Sequence, residues 1–128
     1  GDLLITKDGA IRGRCAVVET RSRFCISQAV ALIRPNRSAV IPEYLWGYIV
    51  SDRIQRKIMD MDQGVAMPHL QITELAKFPV LHPPFELQRE FARRVTAVEK
   101  LKSAQRASLE ELDALFASLQ HCAFRGEL

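Results

Sequence analysis

The longest regular pattern in the chain is helical and lies in its C-terminal part. From Phe85 to about Ala123 there is no proline or glycine, and the preceding Pro83-Pro84 pair fits a helix start. At about 1.5 Å per residue this helix would be roughly 58 Å long, more than it needs to cover one face of a small domain. Its far end is therefore expected to contact a partner. Apolar residues return every three or four positions and make the helix amphipathic: Leu87, Phe91, Val95, Val98, Leu101, Leu109, Leu112, Phe116 and Leu119.

Much of this apolar stripe also follows a seven-residue repeat. Positions 91, 98, 105, 112 and 119 recur every seven residues, and positions 95, 102, 109, 116 and 123 follow four residues later, as in a coiled coil. Lys102 and Gln105 interrupt the apolar series, and such polar residues fix register at a cost in stability. A helix packed along its own domain is the alternative. We predict a helix seam that pairs with a second copy, or with an antiparallel helix of the same molecule, through Leu87, Phe91, Val95, Val98, Leu109, Leu112, Phe116 and Leu119.

The first 82 residues alternate short extended runs with turn signals. Residues 2–6, 14–19, 24–27, 29–34 and 78–81 predict strands, and Lys7-Asp8-Gly9 predicts a hairpin turn after the first of them. Residues 42–62 predict a helix with a weak point at Gly47, residues 63–69 a loop, and residues 72–75 a short turn. The chain is therefore expected to be α+β, with a small mixed sheet-and-helix domain over residues 1–82 and a long coiled-coil helix over residues 83–128.

That small domain is expected to be incomplete at its N-terminus. The chain opens directly on a predicted strand, and no preceding segment is present to pair the far edge of that strand. About eighty residues also give only a small core. Either another chain completes the domain, or the sequence is a fragment.

The basic residues are concentrated in the first half of the chain. Residues 1–57 hold ten Lys or Arg against five Asp or Glu, whereas residues 58–128 hold eight against ten. Eight of the ten basic residues in the first half are arginines, whose guanidinium groups suit phosphates and guanine edges. A nucleic-acid face and a solvated basic surface without a ligand are both compatible with this charge distribution.

Motifs of a stand-alone enzyme do not occur in the sequence. The three histidines are isolated from one another, no GxSxG or CxxC occurs, and no catalytic residue, metal site or cofactor is predicted. The stretch from Gly9 to Gly13 lacks the Lys-Ser/Thr of a P-loop and the third glycine of a dinucleotide site. Both glycines are interpreted as turn residues with positive φ.

Cysteine content and hydropathy suggest an intracellular setting. Cys15, Cys25 and Cys122 are odd in number, have apolar neighbours and are interpreted as reduced core thiols of a cytosolic protein. No apolar run approaches the roughly twenty residues that a membrane span requires, and no secretory signal is present.

Three stretches of the sequence carry a family resemblance. They are GDLLITKDGAIRGRCAVV at the start, GVAMPHLQITELAKFPVLHPPFELQREFARRV in the centre and LDALFASLQHCAFRGEL at the end. Together they resemble the specificity (S) subunit of type I restriction-modification enzymes. In that family a target-recognition domain ends with such a strand, a Pro-Pro pair and a Glu-x-Gln helix start, here Glu86-Leu87-Gln88. The helix closes with a Ser-Leu-x-x-x-Ala-Phe-x-Gly-Glu-Leu tail, here Ser118 to Leu128.

The resemblance implies a cytoplasmic, bacterial DNA reader without catalytic activity or cofactor. Family S subunits carry two target-recognition domains, each reading half of a split double-stranded DNA target, and two long antiparallel helices that set the spacing. They hold methyltransferase (M) subunits, which restriction (R) subunits join. Methyl transfer is assigned to the M subunit, because the chain has no Asn/Asp-Pro-Pro-Tyr/Phe motif and His82 precedes its Pro-Pro-Phe. With one incomplete domain and one arm, the chain is shorter than the family pattern.

Two predicted loops supply the candidate DNA contacts. Amide and guanidinium groups at loop tips reach base edges, whereas lysine more often holds phosphate. Three further basic residues, Arg53, Arg56 and Lys57, fit either phosphate contacts or a solvated helix face. A rival function is a coiled-coil dimerisation module that lost DNA binding through truncation. The candidate DNA-binding residues are Lys7, Arg12, Arg14, Gln63, His69 and Gln71.

Overall fold

The computed structural model describes residues 1–61 and 69–127. Over these ranges a small antiparallel sheet is followed by helices, which confirms the α+β class, and the last helix confirms the predicted long helix. Most of the predicted loop over residues 63–69 lies outside the described residues. The elements are β1 (Leu3–Thr6), β2 (Cys15–Val17), β3 (Val30–Ile33), α1 (Pro42–Ile49), α2 (Asp52–Asp60), α3 (Ile72–Ala76) and α4 (Phe85–Arg125).

The first strand lies in the middle of the sheet. The strand order is β2-β1-β3, and both pairs are antiparallel. Leu3 stands opposite Val17 on one side and Ile33 on the other, and Ile5, two positions along, shares the same buried face. The expectation that β1 would have an unpaired far edge is therefore wrong, because β3 returns along that edge.

Two predicted strands, residues 24–27 and 78–81, are not strands in the structure. Residues 24–27 lie in the exposed connection between β2 and β3, where no described strand pairs with them. The second segment bonds to helix α1 instead of to the sheet. The Tyr48 hydroxyl donates to the Pro79 carbonyl, and the Tyr44 hydroxyl donates to the Leu81 carbonyl, each at 2.8 Å. The apolar composition of residues 78–81 alone could not distinguish this irregular segment from a strand.

The helix predicted over residues 42–62 is broken into α1 and α2, and the break is not at Gly47. It occurs at Ser51, whose extended backbone (φ −64°, ψ 145°) precedes the first turn of α2. The Ser51 hydroxyl donates to the Tyr48 carbonyl at 2.7 Å, while its own carbonyl accepts from Ile54 and Gln55. A serine that bonds neighbouring backbone ends one helix and starts the next.

Gly47 serves a close contact instead of a kink. A Cβ atom built on it would lie 2.5 Å from two atoms of the Phe91 ring, so only a residue without a side chain fits there. Phe91 also packs edge-on against Tyr44, with ring centroids 5.7 Å apart. The first turns of α4 thus pack closely on α1.

Gln88 holds the same region by hydrogen bonds and is fully buried. Its Oε1 accepts from the Ile41 amide at 2.9 Å, at the start of α1, and its Nε2 donates to the carbonyls of Pro83 (3.0 Å) and Ala39 (3.3 Å). The Glu-x-Gln helix start seen in the sequence therefore has a structural role in this chain. It satisfies polar backbone groups where α4 meets α1.

The core lies between the buried face of the sheet and the helices. Cys15 is half-buried, and its carbonyl accepts from the Trp46 indole at 2.9 Å. All three cysteines are free, but the prediction that all are core thiols is wrong: Cys25 is exposed in the connection that was predicted to be a strand, and Cys122 is half-buried on α4. The buried apolar side chains are those of Leu3, Ile5, Ala31, Leu45, Ile49, Ile54, Ile58 and Leu70.

The chain consists of two compact units, residues 1–92 and residues 93–128. The first includes the opening turns of α4, because Gln88 and Phe91 pack there. The functional boundary at residue 82 stays a prediction. The second unit is the rest of α4, where every side chain from residue 101 to residue 120 is exposed. Its large exposed apolar residues include Val98, Leu101, Leu109, Leu112, Leu115, Phe116 and Leu119.

Candidate nucleic-acid interface

The hairpin between β1 and β2 is closed by backbone hydrogen bonds. The Gly13 amide donates to the Thr6 carbonyl at 2.7 Å, and the Thr6 amide donates to the Arg14 carbonyl at 2.9 Å. Gly9 and Gly13 have φ values of 84° and 82°, which confirms their predicted role as turn residues with positive φ. The Gln55 side chain on α2 donates to the Gly13 carbonyl at 3.0 Å and ties the hairpin to the helix layer.

The second predicted loop meets this hairpin at His69. His69 forms an isolated antiparallel bridge with Asp8, and the amide of Leu70 donates to the Lys7 carbonyl at 2.7 Å. Leu70 is buried in the core, so the segment is anchored on its other side. The structure therefore brings together Lys7 and His69, two candidate residues that are 62 positions apart in the sequence.

An aspartate links these two residues. The Oδ1 atom of Asp8 bonds Nδ1 of His69, and its Oδ2 atom accepts from Nζ of Lys7 at 3.4 Å. The hydrogen bond to His69, aided by the positive charge of Lys7, lowers the pKa of the Asp8 carboxyl below its ordinary value. Asp8 was not among the sequence candidates, because an acid next to a turn glycine reads as a turn residue.

The remaining candidates have different surroundings. The Arg12 guanidinium is half-buried and donates from Nη2 to the Met59 carbonyl near the end of α2, at 3.2 Å. Arg14 is exposed at the base of the hairpin, and Gln71 is exposed at the start of α3, where its carbonyl accepts from the Glu74 amide. Gln63 lies outside the described residues. Arg14 and Gln71 thus present exposed side chains near the hairpin and the His69 segment, whereas Arg12 bonds the helix layer.

Several other arginines of the basic half already contact protein groups. Arg34 and Arg37 both pair with Asp2, at 3.4 and 3.7 Å, and Arg56 donates to the Asp52 carbonyl at 3.2 Å. Arg53 is exposed on α2. Pairing with protein groups reduces how much of the positive charge is available to phosphates. Lys7 and Arg12 of the hairpin likewise contact protein groups, whereas Arg14 and Arg53 have exposed side chains.

The first unit also has a partly open apolar cavity of about 300 Å³. Among the described residues that line it, Tyr48 is the one with a polar side chain, and its hydroxyl bonds the Pro79 carbonyl. Such a lining offers packing surface and no acid–base chemistry. The cavity is lined by Leu32, Ile33, Leu45, Tyr48, Ile49, Ile54, Ile58, Ile72, Leu75, Ala76, Phe78 and Val80.

Within residues 1–61 and 69–127, no three His, Cys, Asp or Glu side chains are grouped closely enough to hold a metal ion. Over the same residues, none of the helices combines the length and the apolar character that crossing a bilayer requires.

Comparison with known proteins shows that the chain is similar to one protein family. The family model described as "Type I restriction modification DNA specificity domain" matches residues 1–112. A curated relative, the "Type I restriction enzyme EcoBI specificity subunit" of Escherichia coli, is 30% identical over 131 residues. The match covers 99% of this chain and 27% of the relative, so the chain spans about a quarter of that relative's length.

Proposed function

Because this chain belongs to the type I restriction-modification DNA specificity family, we propose that it is a non-catalytic DNA-recognition subunit that reads part of a bipartite target. Its setting would be the bacterial cytoplasm, where it docks methyltransferase subunits and, through them, restriction subunits. The chain itself needs no cofactor in this proposal. Methyl transfer belongs to the methyltransferase subunit.

The observation that carries the proposal is the meeting of the two candidate loops. Lys7 lies on the hairpin, His69 lies just before helix α3, and both contact Asp8. Backbone hydrogen bonds hold the His69 segment against the hairpin. A DNA reader needs this combination of phosphate-binding and base-reading groups on one rigid surface.

The chemistry of each candidate side chain suggests its role in DNA binding. Lys7 would hold a phosphate, while the exposed Arg14 and Gln71 would reach base edges in the major groove. Arg12 would act indirectly, since its guanidinium bonds the Met59 carbonyl and supports the hairpin from behind.

Arginine and glutamine substitutions test these assignments. We expect Arg14→Ala and Gln71→Ala each to weaken sequence-dependent DNA binding by roughly 1–3 kcal/mol in a gel-shift titration. Arg14→Ala should reduce the dependence of binding on salt only if the arginine holds a phosphate. Arg106→Ala on α4 changes the net charge equally and lies outside the proposed site. Equal effects of Arg14→Ala and Arg106→Ala would contradict the assignment of the hairpin.

The exposed stripe on α4 supports the second part of the proposal, which is helix pairing. Leu112 and Phe116 are each 61% exposed, an unfavourable state for large apolar side chains in water. A second copy, or an antiparallel helix in a longer protein, would cover them. The same stripe also favours the rival function, a coiled-coil interaction module without DNA affinity.

Two leucines on α4 allow a matched test of the seam. Leu112→Lys should weaken self-association at least tenfold in sedimentation experiments, since burying a leucine is worth about 1.5–3 kcal/mol. Leu115→Lys is the control, because Leu115 is 57% exposed but lies outside the predicted seam. Equal effects of the two substitutions on self-association would contradict the predicted helix seam. A dimer that ignores random duplex at low salt would favour the rival interaction module.

A further inference from the structure

An acidic side chain lies in the middle of the proposed DNA-binding surface. Asp8 contacts both Lys7 and His69, and its negative charge opposes phosphate binding. If the surface only had to attract DNA, an uncharged residue would serve better at this position. The carboxylate therefore requires an explanation beyond general affinity.

The hydrogen bond between Asp8 and His69 fixes where the imidazole proton lies. An ionised carboxylate only accepts hydrogen bonds, so the bond to Asp8 requires a proton on Nδ1 of His69. The lowered pKa of Asp8 keeps that carboxyl ionised at neutral pH. In a neutral imidazole with Nδ1 protonated, Nε2 is a hydrogen-bond acceptor.

The acceptor nitrogen is also accessible. The His69 side chain is 50% exposed, and no described residue bonds its Nε2 atom. The backbone is fixed at His69 by the Asp8 bridge and immediately after it by the buried Leu70. Rotation of the ring is restricted because Nδ1 is already engaged. In the neutral ring, the lone pair of Nε2 is therefore held in one direction.

We infer that Asp8 is a specificity-determining positioning residue, which sets His69 to accept a hydrogen bond from an exocyclic amino group of a base. In the major groove such donors are N6 of adenine and N4 of cytosine, whereas guanine and thymine present acceptors at the corresponding positions. This inference rests on the proposed function, because it concerns the same DNA surface. It predicts one target position restricted to adenine or cytosine.

Asparagine at position 8 is the informative substitution. Its amide can donate as well as accept, so Asp8→Asn releases Nδ1 from its obligation to carry the proton and permits Nε2 to become a donor. The recognition at that position should then relax to admit guanine or thymine. Removal of a negative charge alone would instead strengthen binding to all sequences.

The test is selection from a pool of duplexes with a randomised centre, followed by sequencing. The full chain is used together with the methyltransferase subunit from the same locus. We expect His69→Ala to make one adenine-or-cytosine position degenerate, and Asp8→Asn to relax that same position with a loss of roughly three- to tenfold in discrimination. Asp113→Asn on α4 is the charge-matched control and should leave the selected sequence unchanged.

The outcomes separate the inference from the proposed function. A selected sequence that Asp8→Asn leaves unaltered, or whose positions all weaken equally, overturns the positioning role while the DNA reader stands. Failure of the unaltered protein to select any sequence rejects both. An independent readout needs no DNA: nitrogen-15 spectra of the His69 ring should show the Nδ1–H tautomer, and an Nε2–H tautomer would refute the inference.

Discussion

Replacing Gln88 by methionine should separate the hydrogen bonds at the α1–α4 junction from the packing there. Methionine is similar in length to glutamine but has no amide, so it keeps much of the buried volume and removes every side-chain hydrogen bond. The Ile41 amide and the Pro83 carbonyl would lose the bonds they make at 2.9 and 3.0 Å. The Ala39 carbonyl would retain the His82 ring at 2.6 Å.

The cost follows from these two backbone groups. A buried polar group left without a partner costs about 1–3 kcal/mol. Ile41 and Pro83 are half-buried, so water can replace part of what each loses. Allowing also for the better transfer of methionine into the interior, we expect a net loss of about 2 kcal/mol. A unit of 92 residues has a stability of about 5–14 kcal/mol, so this loss is a substantial fraction.

Urea unfolding followed by tryptophan fluorescence measures the effect. Trp46 is the single tryptophan and belongs to α1, so its signal reports the first unit. With a slope of about 2 kcal/mol per molar urea, the midpoint should fall by about 1 M. Gln28→Met, at an exposed position of the same unit, should change stability by less than about 0.5 kcal/mol. A midpoint for Gln88→Met within the range of this control would refute the reasoning.

Three further predictions concern the same unit. Gly47→Ala should destabilise it, because a steric cost of about 1–3 kcal/mol against Phe91 exceeds the usual helix gain; an equal effect in a Phe91→Leu background would contradict the contact. Burial raises the pKa of the Cys15 thiol to about 12, so iodoacetamide at pH 8 should modify the exposed Cys25 first and Cys15 only after unfolding, and equal rates would refute this order. In the folded state the hydrogen bond to His69 lowers the pKa of Asp8 below its ordinary value of 3.8. The ionised carboxylate therefore stabilises the fold fully above pH 3.8, and this contribution is lost as the pH falls through the lower, folded-state pKa. The stability difference between the unaltered chain and Asp8→Asn should therefore shrink on acidification, and a difference independent of pH would contradict the Asp8–His69 bond.

Patterns that repeat along the chain predicted the fold well. The three- and four-residue spacing gave the long helix within a few residues of its observed end at Arg125, and the turn glycines gave the first hairpin. Errors arose where one residue serves a contact that is distant in sequence. Gly47 was interpreted as a helix weakness, but it accommodates the Phe91 ring. Residues 78–81 have strand composition, yet tyrosine hydroxyls bond their carbonyls.

The candidate site was predicted only as two separate loops. Lys7 and His69 were chosen for their chemistry, but no local signal indicated that they would meet, because the bridge joins residues far apart in sequence. Asp8 was interpreted only as part of the Lys7-Asp8-Gly9 turn, so its contacts with Lys7 and His69 were not predicted. Arg12 was selected for its charge, whereas its bond to the Met59 carbonyl depends on how α2 packs.

Mapping methylated bases in DNA tests the central claim most directly. A host without its own methylation would receive the methyltransferase subunit alone, the chain alone, or both, and its DNA would be sequenced by a method that detects methylated bases. A DNA-recognition subunit predicts methylation at one recurring sequence when both proteins are present, and at none when either is missing. The same pattern of methylation with the methyltransferase subunit alone would contradict the account.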